Sequence, residues 1–128
     1  MNLVWFKRDL RLLDHAPLQV AIERGEPLLM IYILEPELEQ NAHYTDRHWR
    51  FIFQSITDVN KQLEGWGGEI HILEGNALSI ISTLHQSTNL RYLFSYEETG
   101  IKITFERDLE IAKFCAQQGV IWLPYSYC

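Results

Sequence analysis

Residues 27–34 read PLLMIYIL, a run with no charged side chain and no alternation of apolar with polar positions. A strand with one wet face alternates. A run like this one fits a strand covered on both faces, as in a parallel sheet. That inference narrows the fold sharply. Parallel strands cannot be joined by two-residue turns, so each connection must cross back over the sheet, usually through a helix. Helices should therefore separate further apolar strands.

The remaining sequence meets that demand. Asn2–Phe6 is a short apolar strand. Asp14 then reads as a helix N-cap, with Pro17 in the first turn, where a missing N–H costs little. Leu18, Ala21 and Ile22 have helical spacing, and Gly25 closes the helix. After Pro27–Leu34, the segment Asp46–Glu64 carries Trp49, Ile52, Phe53, Ile56, Val59 and Leu63 on one stripe, with Arg50, Asp58, Lys61 and Glu64 off it. Gly65-Trp66-Gly67-Gly68 ends it as a turn and C-cap. Glu69–Leu73 is a third strand. Asn76 caps a helix bearing Leu78, Ile81 and Leu84, and Leu90–Ser95 is a fourth strand. Phe105, Leu109, Ala112 and Ala116 mark a helix that Gly119 ends, and Val120–Leu123 is a fifth strand. This alternation, with right-handed crossovers, predicts an α/β fold: a doubly wound, Rossmann-like, five-stranded parallel sheet of order 3-2-1-4-5, three layers deep (αβα), in one domain over residues 1–128. Hydrophobic residues make up 47% of the chain, enough for such a core.

Several function classes are excluded. The net charge of −6 argues against a general nucleic-acid surface, which needs many Lys/Arg–phosphate contacts. No run of eighteen uncharged apolar residues offers a membrane-spanning helix, and the charges from Lys7 onward do not read as a signal peptide. Cys115 and Cys128 lack CxxC or Cys/His spacing, so a free-thiol, cytoplasmic protein is expected, with Cys115 packed in the core. His43 and His48 are too irregularly spaced for a helical metal pair, so no metal site is predicted. His15, His71 and His85 read as surface or strand-edge residues, and Trp5, Trp49, Trp66 and Trp122 as core or edge aromatics. There is no Walker A motif, no G-x-S-x-G elbow and no Gly-rich loop after the first strand, where a dinucleotide fold needs one. The residues alone offer no nucleophile and no acid/base pair. They describe a ligand-binding α/β domain rather than an enzyme.

In this fold, ligands sit outside the carboxyl ends of the strands, at the switch point between strands 1 and 4. The loop after strand 1 there reads Lys7-Arg8-Asp9-Leu10-Arg11. Strand 4 leads into Tyr96-Glu97-Glu98-Thr99-Gly100, and Glu35-Pro36-Glu37 after strand 2 flanks both. Two readings stand side by side. The charges line a binding edge, or Arg8 and Arg11 pair with Glu35, Glu97 or Glu98 and brace the loops, at up to about 1 kcal/mol per exposed pair.

The stretch LVWFKRDLRLLDHAPL (3–18) resembles the opening of the cryptochrome/DNA photolyase family, which reads close to LVWFRRDLRLxDNxAL. PLLMIYILEP (27–36) is similar to that family's second strand and acidic-Pro corner. RHWRFIFQSITDVNKQLEGWGGEIHILEGNALSII (47–81) resembles its long helix, glycine turn and third strand. YEETGIKITFERDLEIAKFCAQQGV (96–120) resembles its fourth-strand acidic corner and Arg-Asp helix. The resemblance covers essentially the whole chain.

It implies the light-harvesting, chromophore-binding N-terminal domain of a DNA photolyase, carrying a folate, deazaflavin or flavin antenna pigment. A C-terminal helical domain, absent from this chain, would bind FAD and the damaged DNA. The intact protein would use blue light to split pyrimidine dimers. The same domain of a cryptochrome photoreceptor is the alternative, as is a stand-alone nucleotide-binding domain of the universal-stress or electron-transfer-flavoprotein kind. The sequence stops at Cys128, so the reading is of a domain cut from a longer protein, and no catalytic residue carries over. The antenna edge does carry over: Lys7, Arg8, Asp9 and Arg11, then Leu34, Glu35 and Pro36, then Glu97 and Glu98. Lys7 stands where the family has Arg, which keeps the charge and loses the bidentate fork.

Overall fold

The computed structural model of the chain describes residues 1–7, 10–12, 14–36, 46–97 and 102–125, with backbone only at 46–48. Nine elements place the functional edge: β1 (Asn2–Phe6), α1 (Ala16–Glu23), β2 (Leu28–Leu34), α2 (Asp46–Leu63), β3 (Ile70–Glu74), α3 (Ala77–Thr88), β4 (Tyr92–Tyr96), α4 (Lys102–Gln118) and β5 (Ile121–Tyr125). The strands pair in parallel in the order β3-β2-β1-β4-β5, as the sequence predicts. Among the described residues, no helix is long and apolar enough to cross a membrane.

Pleating divides the strands between two cores. Val4, Phe6, Met30, Tyr32 and Phe94 face one side and pack with Leu18 and Ala21 of α1 and Ile52, Ile56, Val59 and Leu63 of α2. Leu3, Trp5, Ile31, Ile33 and Leu93 face the other and pack with Ala77 and Ile81 of α3 and Ile111 and Cys115 of α4. Successive residues of β1 and β2 thus enter opposite cores, which is why PLLMIYIL has no polar alternation. The result is the three-layer arrangement.

Local signals set most helix ends. Asn76 Oδ1 accepts from the Ser79 N–H at 3.0 Å, the expected cap of α3. Gly75 before it has φ +144, open only to glycine, and lets β3 turn into α3. After Leu63, a 3₁₀ turn spans Glu64–Trp66, and Gly67 at φ +75 closes it.

Several expectations need correction. The N-cap of α1 is His15, not Asp14: His15 Nδ1 accepts from the Leu18 N–H at 3.0 Å. Asp14 sits at φ +52, and its carbonyl accepts from Arg11 and from the Tyr96 hydroxyl, so the helix begins after it. His15 is therefore not a surface residue. It is buried, with its ring 4.7 Å from Phe6 and 5.1 Å from Tyr96. Trp66 is no core or edge aromatic, being 79% exposed on the glycine turn. Of the α2 stripe, Phe53 falls partly outside the core. In α4 the residues that betray the helix are not those it buries: Thr104, Ile111 and Cys115 face inward, whereas Phe105 and Leu109 are exposed.

Candidate functional site

β1 and β4 are neighbours whose connections leave in opposite directions, so the crevice between their carboxyl ends is the switch point. Lys7 directly follows β1, Glu35 follows β2, and Glu97 follows β4. The three predicted loops thus converge on one edge.

What the sequence did not single out there is α4. Arg107 and Asp108 point from its first turns onto the strand ends. Lys7 Nζ donates to Asp108 Oδ2 at 2.9 Å. Arg107 donates through Nε to Asp108 at 3.1 Å and through Nη1 to Glu35. A chain of four alternating charges results, Lys7–Asp108–Arg107–Glu35. Lys7 and Glu35 are buried, and the side chains of Arg107 and Asp108 are 10% and 13% exposed. Two positive and two negative groups cancel, which is how so many charges can leave water together.

Aromatic rings support the network. Lys7 Nζ lies 4.3 Å from the Trp5 ring centre and the Arg107 guanidinium 4.7 Å from it, both within cation–π range. Trp122 adds a longer contact to Lys7 at 5.6 Å and donates its indole N–H to Ser95 Oγ at 2.8 Å. Trp5 is fully buried beneath these cations.

The predicted edge residues therefore fall into two groups. Lys7 and Glu35 form its interior. Arg11, Pro36 and Glu97 form an exposed rim, with Leu34 half-buried at the end of β2. Arg11 donates to the Asp14 carbonyl at 3.0 Å and lies 5.9 Å from the Tyr96 ring. The Glu97 N–H is held by the Tyr125 carbonyl at 2.8 Å, fixing the start of its loop. Arg8, Asp9 and Glu98 lie outside the described residues. Bracing of the loops is thus real, and α4 supplies a partner of Glu35 in Arg107. The Glu-Arg-Asp triplet at 106–108 was the available signal, but nothing local says which strand ends it reaches. Among the described residues, no cluster of His, Cys, Asp and Glu is arranged to hold a metal ion.

Known proteins share this sequence pattern and fold. Cryptochrome-2 of Gallus gallus is 30% identical over 119 residues, which are 91% of this chain and 20% of that protein. The archaeal photolyase from Sulfolobus tokodaii superposes with a TM-score of 0.86 at 22% identity, covering 98% of this chain and 29% of that one. A bacterial class III photolyase from Agrobacterium tumefaciens gives 0.81 at 25% identity, over 97% and 25%. The chain spans about a fifth of the length of the curated relatives it matches. The family model described as DNA photolyase matches residues 2–125, from the first strand to the last, and the chain belongs to that family.

Proposed function

We propose that this chain is the light-harvesting, chromophore-binding domain of a DNA photolyase, whose whole protein uses blue light and FAD to split pyrimidine dimers. The observation that carries this reading is the charged edge at the switch point, in a chain of the DNA photolyase family. The buried network of Lys7, Asp108, Arg107 and Glu35 holds the loops. The rim offers what a planar heteroaromatic with polar edges needs: a cationic donor in Arg11, an anionic acceptor in Glu97 and an apolar face in Pro36. Arg8, Asp9 and Glu98, proposed from the sequence for the same role, lie outside the described residues. A folate, deazaflavin or flavin fits this donor set. The similar photolyase from Sulfolobus tokodaii holds two FAD molecules, which imply a novel light-harvesting cofactor in that protein. FAD and damaged DNA would be held by a C-terminal helical domain of the parent chain.

Arg11→Glu in the full-length parent tests the reading. Pigment absorbance relative to FAD should fall, with little change in thermal stability. Unchanged pigment with lowered stability would assign the whole edge to bracing. A second reading, a cryptochrome photoreceptor, is favoured by the chicken relative. Light-driven dimer repair by the parent protein separates the two.

A further inference from the structure

The ladder between β1 and β4 runs from Asn2–Tyr92 to Val4–Phe94 and stops there, whereas β1 stays paired with β2 as far as Phe6. Beyond Val4 the two strand ends part, and the switch-point crevice opens between them. Tyr96, at the end of β4, spans it. Its hydroxyl accepts from the Ala16 N–H at 3.1 Å and donates to the Asp14 carbonyl at 3.3 Å. It thereby grips the chain on both sides of His15.

Tyr96 is a stiff arm for this task. It is buried, its ring meets the buried His15 ring edge-on, and its strand stays paired with β5 up to Tyr125. Asp14, by contrast, is exposed and sits at φ +52, a left-handed conformation that Asp tolerates but that its partners must fix. Its carbonyl takes two donors, the Tyr96 hydroxyl and Arg11 Nη2, the latter at 3.0 Å. The Arg11 guanidinium then lies 5.9 Å from the Tyr96 ring centre, at the outer limit of cation–π contact.

We infer that Tyr96 is a positioning residue for Arg11. Its hydroxyl fixes the Asp14 carbonyl, and that carbonyl seats the guanidinium on the rim beside the end of β4. The use of that position rests on the pigment reading above, and its geometry on the hydrogen bonds. An exposed Arg samples many rotamers, and a ligand that must order it loses affinity in doing so. A guanidinium already seated by Asp14 spares that loss and presents its planar fork to a carbonyl or anionic edge in a fixed plane. The competing account confines the hydroxyl to α1, where it would serve the Ala16 N–H and leave Arg11 unaffected.

Tyr96→Phe keeps the ring against His15 and removes only the hydroxyl, so the fold should hold. In the 128-residue chain, nitrogen-15 relaxation of the Arg11 Nε–H should show a more mobile side chain in Tyr96→Phe. The Leu18 amide, capped by His15, should keep its shift. An Arg11 side chain as ordered as in the unaltered chain overturns the inference. In the full-length parent, titrated in turn with a folate, a deazaflavin and a flavin, Tyr96→Phe should weaken pigment binding roughly three- to tenfold. Arg11→Gln should weaken it too. Adding Tyr96→Phe to Arg11→Gln should cost no further affinity, although it should lower the thermal midpoint as much as Tyr96→Phe does alone. Affinity losses that add in the double variant overturn the inference, because the hydroxyl then acts without Arg11. Uptake of none of the three pigments refutes the pigment reading instead, and the relaxation of Arg11 still decides the positioning role.

Discussion

Lys7 and Asp108 are 101 residues apart in sequence and 2.9 Å apart in the fold. This pair, with Arg107 and Glu35, ties α4 to the carboxyl ends of β1 and β2, on which the proposed pigment edge rests. The side chain of Lys7 is only 2% exposed, so its charge calls for pairing inside the fold, to which Asp108 contributes.

The two halves of this pair are not equivalent. Asp108→Ala removes a carboxylate partner of the buried Lys7 ammonium and should cost up to about 3–5 kcal/mol. Lys7→Met leaves Asp108 still bonded to Arg107 and should cost less. The double variant Lys7→Met/Asp108→Leu should recover much of the loss, because no unpaired charge remains. Urea denaturation of the four proteins gives the cycle. Strict additivity of the two single losses would mean that the pair is not coupled.

His15 does two things that can be separated. Its Nδ1 caps α1, and its ring packs between Phe6 and Tyr96. Asn keeps an acceptor for the Leu18 N–H but not the ring. His15→Ala should lose about 1 kcal/mol for the cap, together with the ring packing, each aromatic contact being worth roughly 0.5–1.5 kcal/mol. His15→Asn should lose the packing alone. Equal losses in the two variants, measured by chemical denaturation, would show that the cap bond contributes little.

These residues also mark where the sequence was legible. Strand order, Asn76 as a cap and Gly25, Gly67 and Gly119 as helix stops follow from local chemistry and from the demand that apolar strands be covered. Asp14 misled because an Asp is a good cap in isolation. Here the Tyr96 hydroxyl, 82 residues away, engages its carbonyl while the chain turns at φ +52. Arg107 and Asp108 went unassigned because their partners lie on other elements and no periodicity points across 72 or 101 residues. In α4 the apolar spacing located the helix but not its inner face. Thr104, Arg107 and Asp108, polar by composition, turn inward to meet the strand ends.

Asn60 closes the outer edge of β3. Its amide accepts from the Ile70 N–H at 2.6 Å and donates to the Ile70 carbonyl at 3.2 Å, mimicking a neighbouring strand. Asn60→Ala leaves both backbone groups without that partner, a loss of about 1–3 kcal/mol. It also reopens an edge that carries the partly exposed Ile72. Stability should fall, amide exchange at Ile70 should quicken, and light scattering on warming should begin earlier. Unaltered exchange at Ile70 would assign its protection to water or to another group.

Cys115 gives the chain an alkaline liability. It packs in the core beside Ile81 and Ile111, and burial pushes its thiol from 9.0 up to about 11. Below pH 9 the thiol is protonated in both the folded and unfolded chains and adds no pH dependence. Between 9 and about 11 the unfolded chain releases its proton first, so the folded chain holds more protons and stability falls as pH rises. Above that window both forms are thiolates and the slope vanishes. Lysines and tyrosines titrate in the same range, so the readout is a difference. Cys115→Ala should be less stable than the parent at neutral pH, and the gap should narrow as pH passes through the window. In a Cys128→Ser background, the remaining thiol should react with a disulfide reagent only as fast as the fold opens. Labelling of Cys115 at the rate of a free peptide thiol near pH 8, or a stability gap constant across the window, would remove burial as the control of its chemistry.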